Sequence, residues 1–300
     1  MNEILVQKQK NSYLCIKFDL FARINRCINI YFDARTIMNK NKTFAIVTGA
    51  ASGMGRCYAI LLAKMGYGVL LVDINGDAAQ ELSCQLTHQY DVPAPVLCID
   101  LSQLSAAEQI VDLCQENGWS VEILINNAGM LITTPIEETE PDRLQRIIAL
   151  HCTTPMLLCR HLVPLMKVQG KGYILNISSI TAWMDWPVIG MYGCTKRFVK
   201  GYSRELRLEL SGSPVSITTV FFGAVDTPLL TGLSFMRFRK LALRLGFMIS
   251  PEKATRLALK AMFKRRAKLY PCLSDRLTVM LCPLMPNFLL RLMAKKIKLK

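Results

Sequence analysis

Histidine is scarce in this 300-residue chain: there are three, far apart, with no spacing that would gather metal ligands. The eleven cysteines are odd in number and contain no C-x-x-C pair, which speaks against a zinc ribbon, a thioredoxin-like motif or a closed disulfide framework. Residues 1–37 lack the clean apolar run and small-residue cleavage site of a secretory signal. The cysteines are therefore expected to be reduced, mostly buried thiols in a cytoplasmic protein. Low-complexity tracts and internal repeats are absent. So is an apolar C-terminal run long enough to span a bilayer: Leu277–Met293 is short and broken by Pro283, Pro286 and Arg291. No helix-turn-helix, RNA-binding aromatic motif or zinc finger accompanies the high pI of about 9.4, so no nucleic-acid partner is expected.

What the chain does have is core material. Hydrophobic residues make up 51% and charged residues 20%, enough for one large α/β domain with appendages. The net charge of +15 is confined to one end. Residues 233–300 hold 17 Lys or Arg against 2 Asp or Glu, and the first 232 hold 20 of each sign. A basic, apolar C-terminal segment suits an anionic membrane surface.

Residues 1–40 read as an N-terminal extension. The core opens at Thr43–Val47, a buried strand that runs into Thr48-Gly49-Ala50-Ala51-Ser52-Gly53-Met54-Gly55 and then a helix through Lys64. Strand, glycine turn and helix N-terminus together make a diphosphate cradle, because glycines admit close backbone approach and helix amides face the anion. An ordinary strand-to-helix turn is the alternative. A second strand, Val69–Val72, ends in Asp73, roughly 20 residues past the turn, where a carboxylate meets an adenosine ribose and repels a 2′-phosphate. This favours NAD over NADP, with NADP kept open by Arg56; a plain helix cap is the other reading of Asp73. Strands and helices then alternate: helix 76–89, strand 95–99, helix 102–117, strand 121–125, a long helix 141–168 weakened at Thr153-Thr154-Pro155, strand 172–177, helix 191–210, strand 215–221 and helix 251–268. Such alternation predicts a parallel sheet with helices on both faces. Asn126-Asn127-Ala128-Gly129 follows a strand, where amide side chains can satisfy backbone groups and hold adjacent strands together.

Tyr192 and Lys196 stand four apart on a predicted helix and so project from one face. An ammonium beside a phenol is expected to lower the tyrosine pKa from about 10 and make it a proton donor and acceptor near neutrality. Ser179, thirteen residues before the tyrosine, can hydrogen-bond a substrate oxygen as its charge changes. An exposed helix face carrying an incidental Tyr and Lys is the bland alternative.

Taken in order, the glycine turn, Asp100, Asn126–Gly129, Ser179 with Tyr192-x-x-x-Lys196, and Gly223-x-x-x-Thr227 resemble the short-chain dehydrogenase/reductase family over residues 42–264. The resemblance implies a Rossmann-type, doubly wound sheet in a single catalytic domain, residues 41–268. It also implies hydride transfer between a nicotinamide and an alcohol or carbonyl, and dimers or tetramers. By position it makes Tyr192 the acid/base, Ser179 the residue positioning the substrate oxygen, and Lys196 the ligand of the nicotinamide ribose. Asp100 would meet the adenine with Leu101 beside it. Asn127, Ala128 and Gly129 would line the cofactor, and Gly223, Val225 and Thr227 its nicotinamide end. Two positions depart from the family: His151 stands where an Asn helps hold a water chain to the lysine, and Phe222 where Pro precedes Gly223. His151 reads equally as a relay substitute and as a satisfied structural histidine.

Residues 228–250 read as an amphipathic helical lid, rich in Leu, Phe and Met and interleaved with Arg237, Arg239, Lys240 and Arg244. It suits a bulky hydrophobic substrate such as a steroid, a lipid-like ketone or a long-chain alcohol; packing on the core or a second subunit is the alternative. Residues 269–300 read as a basic amphipathic segment, an interfacial anchor ending in Lys295, Lys296, Lys298 and Lys300 or else a helix completing a dimer. The expected activity is an NAD-dependent oxidation or reduction of a hydrophobic secondary alcohol or ketone. The alternatives are an NADPH-dependent ketone or acyl-chain reductase, and a cofactor-binding regulatory protein that lost turnover.

Overall fold

A computed structural model describes residues 43–185, 189–230, 239–244, 246–286 and 288–292. The expectations for residues 1–40, for 231–238 of the lid and for the terminal lysines lie outside these.

Alternation in the strands sends successive side chains to opposite faces. In β1 (Thr43–Thr48), Ala45 and Val47 join one core while Ile46 joins the other; in β2 (Gly68–Asp73), Val69 and Leu71 divide from Leu70 and Val72 in the same way. Both faces are apolar because helices cover both. On the first lie α1 (Gly53–Lys64) and α2 (Gly76–Tyr90), with Leu62 and Leu82 fully enclosed. The second is covered by α3 (Ala106–Glu116), and later by Leu158 and Leu162 of the long helix. With β3 (Val96–Cys98), β4 (Ser120–Asn126), β5 (Gly172–Ser179), β6 (Val215–Phe222) and an edge strand from the C-terminal part, the sheet runs β3-β2-β1-β4-β5-β6-edge, all parallel. Strand order reverses between β1 and β4, which opens a crevice at their carboxyl ends.

The long helix is not continuous. It comprises α4 (Pro141–Ile148), a π-helical turn over Ala149–Thr153, and α5 (Thr154–Val168). The weak point read at residues 153–155 thus falls at the end of a wider turn centred on His151. α6 (Gly190–Glu209) follows β5. Beyond β6 a short ladder joins β7 (Ala224–Val225) to β8 (Met248–Ile249), and α7 (Arg239–Arg244) lies between them. The lid is therefore part strand, not wholly helical among the described residues.

The helix expected over 251–268 is shorter. α8 (Pro251–Phe263) ends where Arg265 turns left-handed at φ 53°, and Lys268–Leu269 straightens into β9, the edge strand paired with Thr219 and Val220 of β6. Thr218 accepts no part in that ladder with its side chain; its hydroxyl instead donates to the Arg266 carbonyl at 2.7 Å, fixing the turn. α9 (Leu273–Leu281) and a 3-10 turn at Cys282–Leu284 follow.

Candidate active site

The crevice at the β1/β4 reversal is a cleft of about 500 Å³, within the size range of small-molecule sites. Its floor is the glycine turn. Gly49 (φ 65°) and Gly53 (φ 51°) adopt left-handed conformations that β-carbons disfavour. A Cβ at Gly55 would run into the Gly49 carbonyl, so this position admits no side chain without movement. Ser52 precedes α1 without capping it, and the first turn carries no acid. The amides and dipole of this helix N-terminus are thus left to face an anion. Among the cradle residues, Gly49, Ser52, Gly53 and Met54 line the cleft, and Gly55 packs behind it.

Thr48 also stands behind the wall and acts as a staple. Its hydroxyl donates to the Ile125 carbonyl and accepts from the Asn127 and Ala128 amides at 3.0 and 3.1 Å. The Asn127 side-chain amide donates back to the Thr48 carbonyl at 2.9 Å. β1 and β4 are locked together at the point where they part, and Asn127, Ala128 and Gly129 reach the cleft.

Asp73 lines the cleft, with both oxygens already engaged: Oδ2 accepts from the Ala51 amide at 2.8 Å and Oδ1 from the Asn75 amide at 2.9 Å. It braces the glycine turn while leaving negative charge at the cleft edge. Asp100 and Leu101 line the adjoining wall. Burial opposes the Asp100 charge, but the Ser102 amide and hydroxyl and the Arg146 guanidinium at 2.9 Å outweigh it and hold this carboxyl below its ordinary value. No sequence pattern pointed to Arg146, which α4 brings from 46 residues away.

At the other end α6 presents Tyr192 and Lys196 to the cleft. Ser179, at the end of β5, stands just behind the lining; its oxygen accepts from the Thr181 amide at 3.2 Å, and its side chain hydrogen-bonds the phenol. The three residues meet as expected, but their electrostatics correct the sequence reading. Burial pushes the Tyr192 phenol up to about 12, with the Ser179 hydrogen bond only partly opposing it. Lys196 does not depress it: its ammonium donates to the Ile177 carbonyl at 3.0 Å and stands 5.4 Å from the ring centroid. Burial brings Lys196 itself down to about 8.

His151 lines a small pocket behind Lys196, not the main cleft. Its Nε2 accepts from the Met130 amide at 3.0 Å, so the proton resides on Nδ1, 2.8 Å from Thr195 Oγ1. Thr195 in turn donates to the Tyr192 carbonyl at 2.8 Å. Both ring nitrogens are satisfied, and burial, aided by Lys196, holds the imidazole well below its ordinary pKa. A Cβ on Gly129 would press on Nε2, so the glycine makes room for the ring. Gly223, Val225 and Thr227 complete the cleft with Phe222 and Pro228–Leu230. The β-carbon position of Gly53 lies 3.4 Å from Thr227, so this loop bears directly on the glycine turn.

The floor, uncapped helix end and lateral carboxylates fit a dinucleotide. A family model described as short chain dehydrogenase matches residues 43–236. The 1-deoxy-11-beta-hydroxypentalenate dehydrogenase of Streptomyces exfoliatus is 28% identical over 196 residues, 64% of this chain and 71% of that protein. Human 17-beta-hydroxysteroid dehydrogenase type 3 is 28% identical over 211 residues, 69% of this chain and 67% of that protein. A solved short-chain dehydrogenase from Sphingobium yanoikuyae, in complex with NADPH, aligns at a TM-score of 0.68 and 26% identity, over 79% of this chain and 91% of its own.

Proposed function

The chain belongs to the short chain dehydrogenase family, an oxidoreductase of CH–OH groups with NAD or NADP, and on that premise we propose that it interconverts a hydrophobic secondary alcohol and its ketone at Tyr192. The observation that carries this reading is the meeting of Tyr192, Ser179 and Lys196 at one end of a cleft whose other end is a glycine-lined helix N-terminus. The dinucleotide, when bound, supplies the hydride acceptor or donor. Tyr192 gives the substrate oxygen its proton in reduction and removes it in oxidation. Ser179 orients the phenol and hydrogen-bonds the same oxygen. Lys196, charged below pH 8, supports the ribose and the developing charge. A phenol near 12 is already in the donor form, so reduction proceeds at neutral pH, whereas oxidation speeds up as pH rises.

The glycine turn, Asp73, Asp100 and Asn127–Gly129 hold the adenosine and diphosphate; Gly223, Val225 and Thr227 hold the nicotinamide end. The Asp73 charge supports NAD over NADP, since a 2′-phosphate there meets a carboxylate. His151 acts by positioning: its satisfied nitrogens support the structural reading, and no reacting group is lost with the family's Asn, which supports an active enzyme over a regulatory one. Leu229 and Leu230 at the cleft, and relatives named for a steroid and a pentalenate, support an apolar substrate.

A second reading, an acyl-chain reductase using NADPH, draws on a relative named very-long-chain 3-oxoacyl-CoA reductase from Kluyveromyces lactis. Absorbance at 340 nm across steroid, aliphatic-alcohol and acyl-thioester panels, with both dinucleotides, separates the two. Turnover of steroid or aliphatic alcohols with NAD supports the first reading; turnover confined to acyl thioesters with NADPH overturns it. We further assign the protein to the cytoplasm, at an anionic membrane surface, as an oligomer. The exposed Leu273, Leu277, Met280 and Leu284 beside exposed Arg276 support the membrane contact.

A further inference from the structure

The helix α9 lies beyond the span matched to the family, yet its Asp275 packs against Gly223, a residue of the cleft lining. Its Asp275 is 5% exposed. One carboxylate oxygen, Oδ2, accepts from the Cys272 amide at 3.2 Å and closes the capping box of α9. Capping needs no more than that. The other oxygen is turned elsewhere: Oδ1 sits where a Cβ on Gly223 would be, against the Gly223 backbone, whose amide partly offsets the burial that raises this carboxyl's pKa.

The neighbours of Asp275 grip the same loop. Leu269 pairs with Val220, and Tyr270 stacks on Phe221 with centroids 5.0 Å apart. Phe221 meets Trp183, just past Ser179, edge-on at 5.8 Å. The Ser274 hydroxyl donates to the Gly246 carbonyl at 3.2 Å, tying α9 to the turn before β8, and β8 is the partner of β7. These contacts bear on the segment from Val220 to Val225 or on the turn that leads into its ladder partner. That segment continues to Thr227, whose side chain lies 3.4 Å from where a Cβ on Gly53 would stand. A buried carboxylate on a backbone amide is a strong, directional hold, and removing it leaves a buried donor without a partner.

We propose that Asp275 is a positioning residue of the active site: it fills the space that makes Gly223 a glycine, holds the Gly223 amide, and thereby sets Gly223–Thr227 at the distance from the glycine turn that dinucleotide binding requires. The inference rests on the dinucleotide reading above. It makes the C-terminal segment a strap that completes the site.

The test is a double-mutant cycle on the full chain, with NADH and NADPH affinities read by fluorescence and melting temperature read separately. Asp275→Ala weakens dinucleotide binding by about tenfold or more, the scale of a lost buried hydrogen bond to a charged group. Gly223→Ala alone is worse, because its methyl meets the carboxylate. Adding Asp275→Ala to Gly223→Ala recovers part of the loss, so the two effects do not add. The isosteric Asp275→Asn offers one acceptor oxygen where the carboxylate offers two. It keeps the fold if Asp275→Ala does not, and weakens binding by about threefold. Unchanged affinity in both Asp275 variants, with only a lower melting temperature, would leave Asp275 a helix cap and overturn the proposal. Additive losses in the cycle would overturn it as well. A wild-type chain that binds neither dinucleotide would instead sink the dinucleotide reading itself, a distinguishable failure.

Discussion

Tyr192 and Lys196 are neighbours on one helix face, and burial moves both away from the charged state. The lysine falls to about 8 and the phenol rises to about 12. The spacing that makes them neighbours is legible in the sequence; their solvation is not, because it depends on β5 and the π-helical turn closing over them. An unfolded lysine keeps its proton to about pH 10.4, so between pH 8 and that value the unfolded state binds more protons and stability rises with pH. Lys196→Met removes this arm. Denaturant titrations should show the wild type gaining on Lys196→Met by up to about 1.4 kcal/mol per pH unit above pH 8, and parallel curves would refute the buried ammonium. His151 gives the opposite limb of the pH curve. It is neutral when folded and takes a proton near pH 6.5 when unfolded, so stability falls as pH falls below 6.5. His151→Asn should flatten that acid limb while leaving the alkaline limb in place. The sequence posed the question of His151 and left it open, since only the fold brings Met130 and Thr195 to its two nitrogens.

At the scale of elements, apolar alternation and glycine punctuation placed most strands and helices within a few residues. Failures occurred where tertiary pairing overrode local pattern. The run 251–268 keeps a helical stripe, but pairing with β6 draws Lys268–Leu269 into the sheet edge, and the helix stops at Phe263. The π-helical turn has no periodic signature either; it widens one turn so that His151 can face inward. The turn's need for glycine, in contrast, is legible in the sequence, because that constraint is steric and local. Gly55→Ala forces a methyl against the Gly49 carbonyl and should cost about 1–3 kcal/mol of stability and most dinucleotide affinity. Wild-type affinity in that variant would show that the turn has room to spare.

For the whole molecule, the two-sided core and parallel sheet follow from composition and order, but the role of the C-terminal end does not. Its apolar, basic sequence suggests a detachable anchor, whereas Tyr270 stacks on Phe221 and Asp275 packs against Gly223, behind the cleft lining. Cutting the chain after Lys268 would therefore damage the site as well as the surface. Among the described residues one helical stretch, 141–168, is long and apolar enough to cross a membrane, and much of it is packed against the sheet. Surface contact is better sought at α9. Leu277 and Met280 are 50% and 70% exposed. Leu277→Asp with Met280→Asp should abolish flotation with anionic vesicles while leaving dinucleotide affinity intact. Loss of a dimer in the variant, with no vesicle binding by the wild type, would make this face a subunit interface instead.

The most direct test of the central claim is single-turnover oxidation of the best alcohol from the panel by wild type and Tyr192→Phe, followed at 340 nm with dinucleotide binding measured alongside. Proton transfer at Tyr192 predicts a rate lower by about 10²–10⁴-fold at unchanged dinucleotide affinity. Equal rates in the two proteins would contradict it.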